Sequence, residues 1–484
     1  MWRLHDYENV APLAALLDNP DFMTDAAEAL NNLNDQNVDN LVLSGLGAGP
    51  GNEGRLYFAY LAARDRFIKG EAADLIRQNI DKFSPEAKLY SYMILSFQDK
   101  KYLSKAISVY RALAPEKNTS AFIELLRLIG ITGCSNGYDF ASAAGKRDPR
   151  AKAMAVWAMH RIKPVKAIKY DIGDRTIISG QYLKKDSGNP VWPSAPNSLK
   201  AWHTANPDIL ATDSTIYFYY RSGDGTDRIS LATVPYNIFN GRNFIDVPNN
   251  PIVDVTKKSF DSRACLDPAT LRFNNRTFLY YSGLGEGDDM VGLAVAGDYQ
   301  NFTKQERPVI KGRAPEVVLK DGVIYMFYVL PNAIGGYSIY LATSTDGYDF
   351  RQYGKAPVLN YSAPGAWDDK TVTTPRISEK DGVYYMVYAG DNMYRDYPPY
   401  FGLAFSYDLI HWTRSTQNPV FSRGKKGQWD DGGIWYGELF LYKGRYHLYY
   451  EGWGGGESHE NEYGRGGHSQ VGMATGSFDV EEML

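Results

Sequence analysis

Cysteine is almost absent: Cys134 and Cys265 are the only two in 484 residues. Two thiols build no disulfide framework, and with no histidine pair or cysteine cluster the sequence offers no zinc site. Neither sign of charge is in excess. The formal net charge is -4, which presents no basic face to a nucleic acid or an anionic membrane. No apolar run is longer than a strand, so nothing reads as a membrane span. The stretch MWRLHDYENVAPLAALLDNPDF carries acids at Asp6, Glu8 and Asp18 and does not read as a signal peptide. The location expected from these features is cytoplasmic. No glycine-rich phosphate loop follows a strand and opens a helix. What is abundant is tyrosine, 37 residues within 14% aromatics, which points to many strands and a sugar-facing surface.

The hydrophobic period changes once along the chain. Residues 1–165 place apolar residues at helical spacing, as in GRLYFAYLAARDRFIKGEAADLIRQNI and PEAKLYSYMILSFQDKKYLSKAISVYRALAP. DPRAKAMAVWAMHRIKP adds an Asp cap, an early Pro and a terminating Pro. The spacing fits a small solenoid of the HEAT or TPR kind or an irregular bundle, since no full repeat signature is present. It carries no catalytic cluster, and its expected role is a scaffold that binds a protein partner or mediates oligomers.

Residues 166–484 follow period two and align against themselves as five similar stretches. Their second strands are TIYFYYRSG, TFLYYSG, VIYMFYV, VYYMVYAG and RYHLYYEGW, and their third strands RISLATV, VGLAVAG, SIYLATS, FGLAFSYD and QVGMATG. A fourth, edge strand recurs as NPIV, RPVI, APVL and NPVF, and the fifth stretch ends without one. The missing piece stands upstream as NPVW at 189, and residues 187–193 are expected beside 470–475. This is how a propeller closes its ring. The expected fold is mainly β, a five-bladed β-propeller preceded by the α-helical domain.

In such a fold the innermost strands open into one funnel. Anchoring on the second strands places five ionisable residues at the head of the inner strands: Asp208, Asp267, Glu316, Arg376 and Glu438. Charges gathered on one axis pair or repel, and some pKa values are displaced. One reading is a structural ion-pair ring around Arg376. The other is catalysis: cleaving a glycosidic bond needs one carboxyl to protonate the leaving oxygen and another to activate water. Arg376 is suited either to binding substrate or to holding Glu316 or Glu438. Trp202 and His203 precede Asp208, Trp435 and Tyr436 precede Glu438, and Arg263 and Arg313 precede two of the acids. The aromatic residues suit sugar stacking or core packing, and the arginines suit an anionic sugar. EGWGGGESHENEYGRGGHSQ reads as a long glycine-rich loop, either a lid or a loose edge.

NPDI, LDPATLRFNNRTFLYYSG and APEVVLKDGVIYMFYV resemble the motifs of the first three blades of the family 43 glycoside hydrolases. The resemblance covers residues 185–484. It implies an inverting glycosidase with Asp208 as general base, Asp267 as pKa modulator and Glu316 as general acid. The implied partner is an oligosaccharide or polysaccharide, mostly containing arabinose or xylose. The family often carries a histidine near a central metal, which marks His468; one His among oxygens suits calcium with water ligands. No cofactor is otherwise implied. NPDI lacks the usual Asp-Pro order, and the Asn-Asp-Pro-Asn-Gly signature of fructan hydrolases is absent. The competing readings are a sugar phosphorylase that holds phosphate with Arg376, Arg263 and Arg313, and a non-catalytic glycan-binding propeller.

Overall fold

The computed structural model describes residues 10–19, 21–31, 53–66, 71–113, 119–147, 151–163, 177–178, 182–392, 398–454 and 468–484. Contacts divide the chain into two compact parts, residues 1–165 and 166–483.

The first part is helical, with its longest described helices at Glu53–Arg66, Pro85–Ser96, Lys101–Ala112, Thr119–Thr132 and Lys152–Ile162. Local chemistry accounts for these elements. Ser84 caps Pro85–Ser96 by accepting the Ala87 N–H at 3.1 Å, and Pro85 fills the first turn, where its missing donor is not needed. In Lys101–Ala112 the buried residues Leu103, Ala106, Ile107 and Tyr110 recur at helical spacing. The Asp148 cap expected before Lys152–Ile162 lies outside the described residues. No described helix is long and apolar enough to cross a membrane.

The second part is mainly β, in sheets of four, nine, four and five strands. The nine-stranded sheet is two antiparallel meanders joined by one parallel pairing, Asp227 to Ala264. Five meanders therefore repeat. Their inner strands are His203–Ala211, Ala264–Phe273, Arg313–Lys320, Thr371–Lys380 and Gly433–Tyr442. In four of them the turn to the second strand is a pair of residues at positive φ: Asn274-Asn275, Asp321-Gly322, Asp381-Gly382 and Lys443-Gly444. Such turns match the right-handed twist of the strands they join.

The edge of each repeat departs from the expected fourth strand, because its pairing is split in two. One short pairing meets the middle alanine of the third strand: Asp246 on Ala232, Lys304 on Ala294, Gln352 on Ala342, Arg414 on Ala404 and Lys185 on Ala474. The Pro-containing segments return further along the same strand, as with Val253 on Ile229 and Trp192 on Val471. Between the two pairings, asparagine replaces backbone. Asn189, Asn250 and Asn418 each accept from and donate to one residue of the third strand, Met473, Leu231 and Leu403 respectively. Residues 183–185 and Trp192 thus complete the fifth repeat from the N-terminal side, and the strand begins earlier than residue 187.

Neighbouring repeats pack face to face. Phe218, Trp192 and Tyr449 share a core between the fifth and first, Tyr219 and Tyr281 between the first and second, and Phe327, Tyr388 and Trp412 between the third and fourth. Many of the tyrosines serve this packing. Tyr219 donates to the Tyr299 carbonyl, Tyr280 to that of Gly347 and Tyr449 to that of Gly241, all at 2.8 Å. Each hydroxyl reaches the next repeat, and the fifth reaches the first.

Buried ion pairs also recur. Asp368 accepts from Tyr388 at 3.1 Å and Arg414 at 3.0 Å; Asp430 accepts from Tyr450 at 3.1 Å and pairs with Lys185. In the first repeat the polarity is reversed and the carboxylate is exposed: Asp246 sits on the edge strand and takes Tyr220 at 2.6 Å and Lys200 at 2.9 Å. Breaking one such pair strands a buried charge. Arg414→Met, which leaves the buried Asp368 carboxylate without its cation, is expected to lower stability by about 3 kcal/mol, read from urea unfolding; a change under about 0.5 kcal/mol would show that the pair is solvated.

Candidate functional site

The inner strands share one irregularity. Ladder pairing breaks between Ala205 and Asp208, Leu266 and Ala269, Arg313 and Glu316, Thr373 and Arg376, and Trp435 and Glu438. Within each break one residue takes a left-handed conformation: Asn206, Asp267, Ala314, Thr374 and Tyr436, with φ of 46–57°. Proline follows the first four and Gly437 the fifth. A proline has no N–H for the ladder and settles where the ladder is already broken. Non-glycine residues at positive φ cost about 1–3 kcal/mol each and gather at functional sites.

The bulges sort the site into two sets of positions. Where pairing resumes stand Asp208, Ala269, Glu316, Arg376 and Glu438. In the bulges themselves stand Asn206, Asp267, Ala314, Thr374 and Tyr436. This corrects the sequence alignment, which put Asp267 level with Asp208: Ala269 holds that level, opposite Tyr280 as Asp208 is opposite Tyr219. The second repeat turns on Asn274-Asn275 without a glycine, and the anchor slipped by two residues.

Arg376 organises the first set. Its side chain is fully buried and its Nη1 donates to Glu316 at 2.8 Å, while Nη2 donates to the Pro268 carbonyl at 2.9 Å. Asp208 Oδ1 lies 3.9 Å from Nη1 and Glu438 Oε2 3.9 Å from Nε. Glu316 is held at both oxygens, the second by the Ile377 N–H at 2.9 Å. Asp208 takes the Thr270 hydroxyl at 2.6 Å. Three carboxyls thus share one guanidinium. Burial, partly offset by Arg376 and reinforced by Glu316, pushes Asp208 up to about 7. Burial raises Glu316 too, against the pull of Arg376 and Ile377. Glu438 is pushed well above the carboxylate range by burial and then by Glu316 and Asp208. The reverse holds for Arg376: burial opposes its charge, and the three carboxylates overcome that and raise it.

In the bulge set Asn206 Oδ1 and Thr374 Oγ1 are buried without a hydrogen-bond partner among the described residues, while the Tyr436 hydroxyl and Asp267 face each other without a well-formed hydrogen bond. Tyr436 links the two sets, since the Arg376 guanidinium sits 5.1 Å from its ring centroid. Arg221 donates to Glu451 at 3.0 Å, and Glu451 accepts from Asn206 at 2.8 Å. Arg221 and Glu451 went unrecognised in the sequence. The available signal was a charge inside an otherwise aromatic strand, in FYYRSG and LYYEGW.

Of the other expected site residues, Arg313 lies within electrostatic reach of Tyr436 and stands 3.9 Å from Asp289. His203 is buried beside Arg221, and burial with that positive neighbour lowers its pKa to about 3, so it is neutral. Trp202 is half exposed. Trp435 packs on Trp453, with centroids 4.6 Å apart. Arg263 is exposed and is not drawn into the cluster. His468 bonds the Trp202 carbonyl at 2.8 Å. Among the described residues no group of three or more His, Cys, Asp or Glu is placed to hold a metal. Residues 455–467 of the glycine-rich loop lie outside the described residues.

No family model matches the chain. Two curated proteins of Mycobacterium tuberculosis are similar over 121 residues at 34% identity: the uncharacterized protein Rv1502 of strain ATCC 25618 / H37Rv and the uncharacterized protein MT1551 of strain CDC 1551 / Oshkosh. The match covers 22% of this chain and spans 40% of the length of each relative. Among solved structures, a thermostable family-43 glycoside hydrolase is similar at 17% identity and a TM-score of 0.46, over 59% of this chain and 94% of its own. A structure from the GH130 family of mannoside phosphorylases, described as containing glycoside hydrolases that target β-1,2 mannosidic linkages in Candida mannan, is similar at 18% identity and a TM-score of 0.47, over 62% and 94%. At such identities and scores these likenesses decide neither activity nor substrate.

Proposed function

We propose that residues 166–484 form a five-bladed β-propeller that hydrolyses a glycosidic bond with inversion, and that the helical part is a scaffold. Five bulged inner strands, cores between successive repeats and closure of the fifth repeat by residues 183–192 support the propeller. The observation that carries the activity is the cluster of three buried carboxyls, from three repeats, around the single guanidinium of Arg376. One carboxyl must be ionised to take a proton from water and another protonated to give one to the leaving oxygen, and one cation for three acids favours such a mixture. Asp208 is the group that activates water. Asp267 is not among the hydrogen-bond donors or acceptors of Glu316 and faces Tyr436, Arg221 and Glu451 instead, and its role is to bind a sugar hydroxyl. Asp267→Asn is therefore expected to raise KM about tenfold with little change in kcat; a shifted pH profile at constant KM would instead return it to tuning a proton donor.

The reading is tested on 4-nitrophenyl glycosides of arabinofuranose, xylose, mannose and galactose, with and without inorganic phosphate, with the product anomer followed by proton NMR. Hydrolysis with inversion is expected. Turnover that depends on phosphate would make the protein a phosphorylase, and no turnover with retained sugar binding would make it a glycan-binding module.

A further inference from the structure

We propose that Glu438, from the fifth repeat, is the proton donor of this site, and that Glu316 is a positioning residue that remains ionised to hold Arg376. This assignment rests on the hydrolase reading above.

The two glutamates differ in their partners. Glu316 accepts N–H donors at both oxygens, Arg376 Nη1 at 2.8 Å and Ile377 at 2.9 Å. Each bond stabilises the ionised form. Among the described residues none donates a hydrogen bond to Glu438, and its side chain keeps 12% of its surface exposed. Its contact with the arginine is 3.9 Å, and the Nε it approaches donates to no group among the described residues. Counting charge leads to the same assignment. One guanidinium neutralises one carboxylate, and Glu316 has the short bond. Asp208 has a hydroxyl donor in Thr270. Glu438 has neither, and in a buried space the carboxyl without a donor is the one that keeps its proton.

Spacing agrees. Base and acid on opposite sides of a sugar need about 6.5–9.5 Å between carboxyls. Asp208 and Glu316 approach the same Arg376 Nη1 at 3.9 and 2.8 Å, and those lengths laid end to end only just reach the short end of that range. Glu438 approaches a different nitrogen, Nε, so its separation from Asp208 is not held to that short bound. In the proposed step the Glu438 proton passes to the glycosidic oxygen as the anomeric C–O bond breaks. Water adds to the anomeric carbon and gives its proton to Asp208. The products are two hydroxyl compounds, and the proton returns from Asp208 to Glu438 through solvent.

The test is the dependence of kcat/KM on leaving group, on whichever sugar the wild type hydrolyses, using its 2,4-dinitrophenyl, 4-nitrophenyl and methyl glycosides. Glu438→Gln is expected to lose under tenfold on the dinitrophenyl glycoside and over a hundredfold on the methyl glycoside. Glu316→Gln is expected to lose a similar factor on all three. Glu438→Asp should restore part of the methyl glycoside rate. On heating, Glu438→Gln should unfold no lower than the wild type at pH 7, and higher if anything, because the amide removes the cost of keeping a buried carboxyl protonated above its unfolded pKa; this separates chemistry from folding. A uniform loss in Glu438→Gln with a steep dependence in Glu316→Gln would overturn the assignment and make Glu316 the donor. Absence of wild-type turnover across the panel would instead remove the hydrolase reading, and this inference with it.

Discussion

Arg376→Met is expected to destabilise the protein by about 3–5 kcal/mol at pH 8, and by clearly less at pH 5. The arginine has no exposed surface and, among the described residues, is the one cation in contact with Asp208, Glu316 and Glu438. Removing it leaves three buried carboxyls, and breaking a buried pair costs that much because the remaining charge is uncompensated. The carboxyls respond by holding protons. Their folded pKa values, already raised, rise further, while the unfolded values stay near 4. A group with a raised folded pKa favours the folded state below its unfolded pKa, and that contribution is lost as pH rises through the folded value. The deficit of the variant therefore grows from pH 5 to pH 8. Urea unfolding at the two pH values measures it. An equal deficit at both would mean that the carboxyls do not depend on Arg376 for their charge.

Asp208→Asn is expected to reduce hydrolysis by about 10²–10⁴-fold, equally on activated and unactivated glycosides. A better leaving group replaces a proton donor but does not activate water, so this variant should show none of the leaving-group dependence expected for the donor. The wild-type rate should also rise with pH through about 7, where Asp208 ionises. Glu316, Arg376 and Thr270 face the same carboxyl, so the observed midpoint belongs to the coupled group and not to Asp208 alone. Stability should move the opposite way. Because burial raises Asp208 from 3.8 to about 7, its contribution is present below pH 4 and lost on the way to pH 7, and the asparagine variant should lose less over that interval. A variant with full activity would remove Asp208 from the chemistry.

Much of the β part was legible because strands alternate at period two and repeats recur at similar spacing. Asp208, Glu316, Arg376 and Glu438 were found this way, by anchoring each inner strand on the second strand that follows it; Asp208, Glu316 and Glu438 also lead apolar runs in which a charge stands out. Asp267 was found and misplaced. Its level depends on a bulge and a glycine-free turn, and neither changes the hydrophobic pattern that anchored the alignment. Arg221 and Glu451 were overlooked because they sit on second strands, whose aromatic character reads as core.

The sequence by itself determined the change from helical to strand period, the five repeats, the upstream completion of the fifth and the acids that lead the inner strands. These are properties of local pattern, set by which side chains can be buried at each spacing. Only the tertiary structure decided which acids share Arg376, which oxygens receive donors and which are left without them. Those facts depend on residues up to 245 apart in the chain, such as Asn206 and Glu451, being brought within hydrogen-bond distance. Protonation in a buried site follows from such distances and partners, and residue spacing along the chain does not encode them.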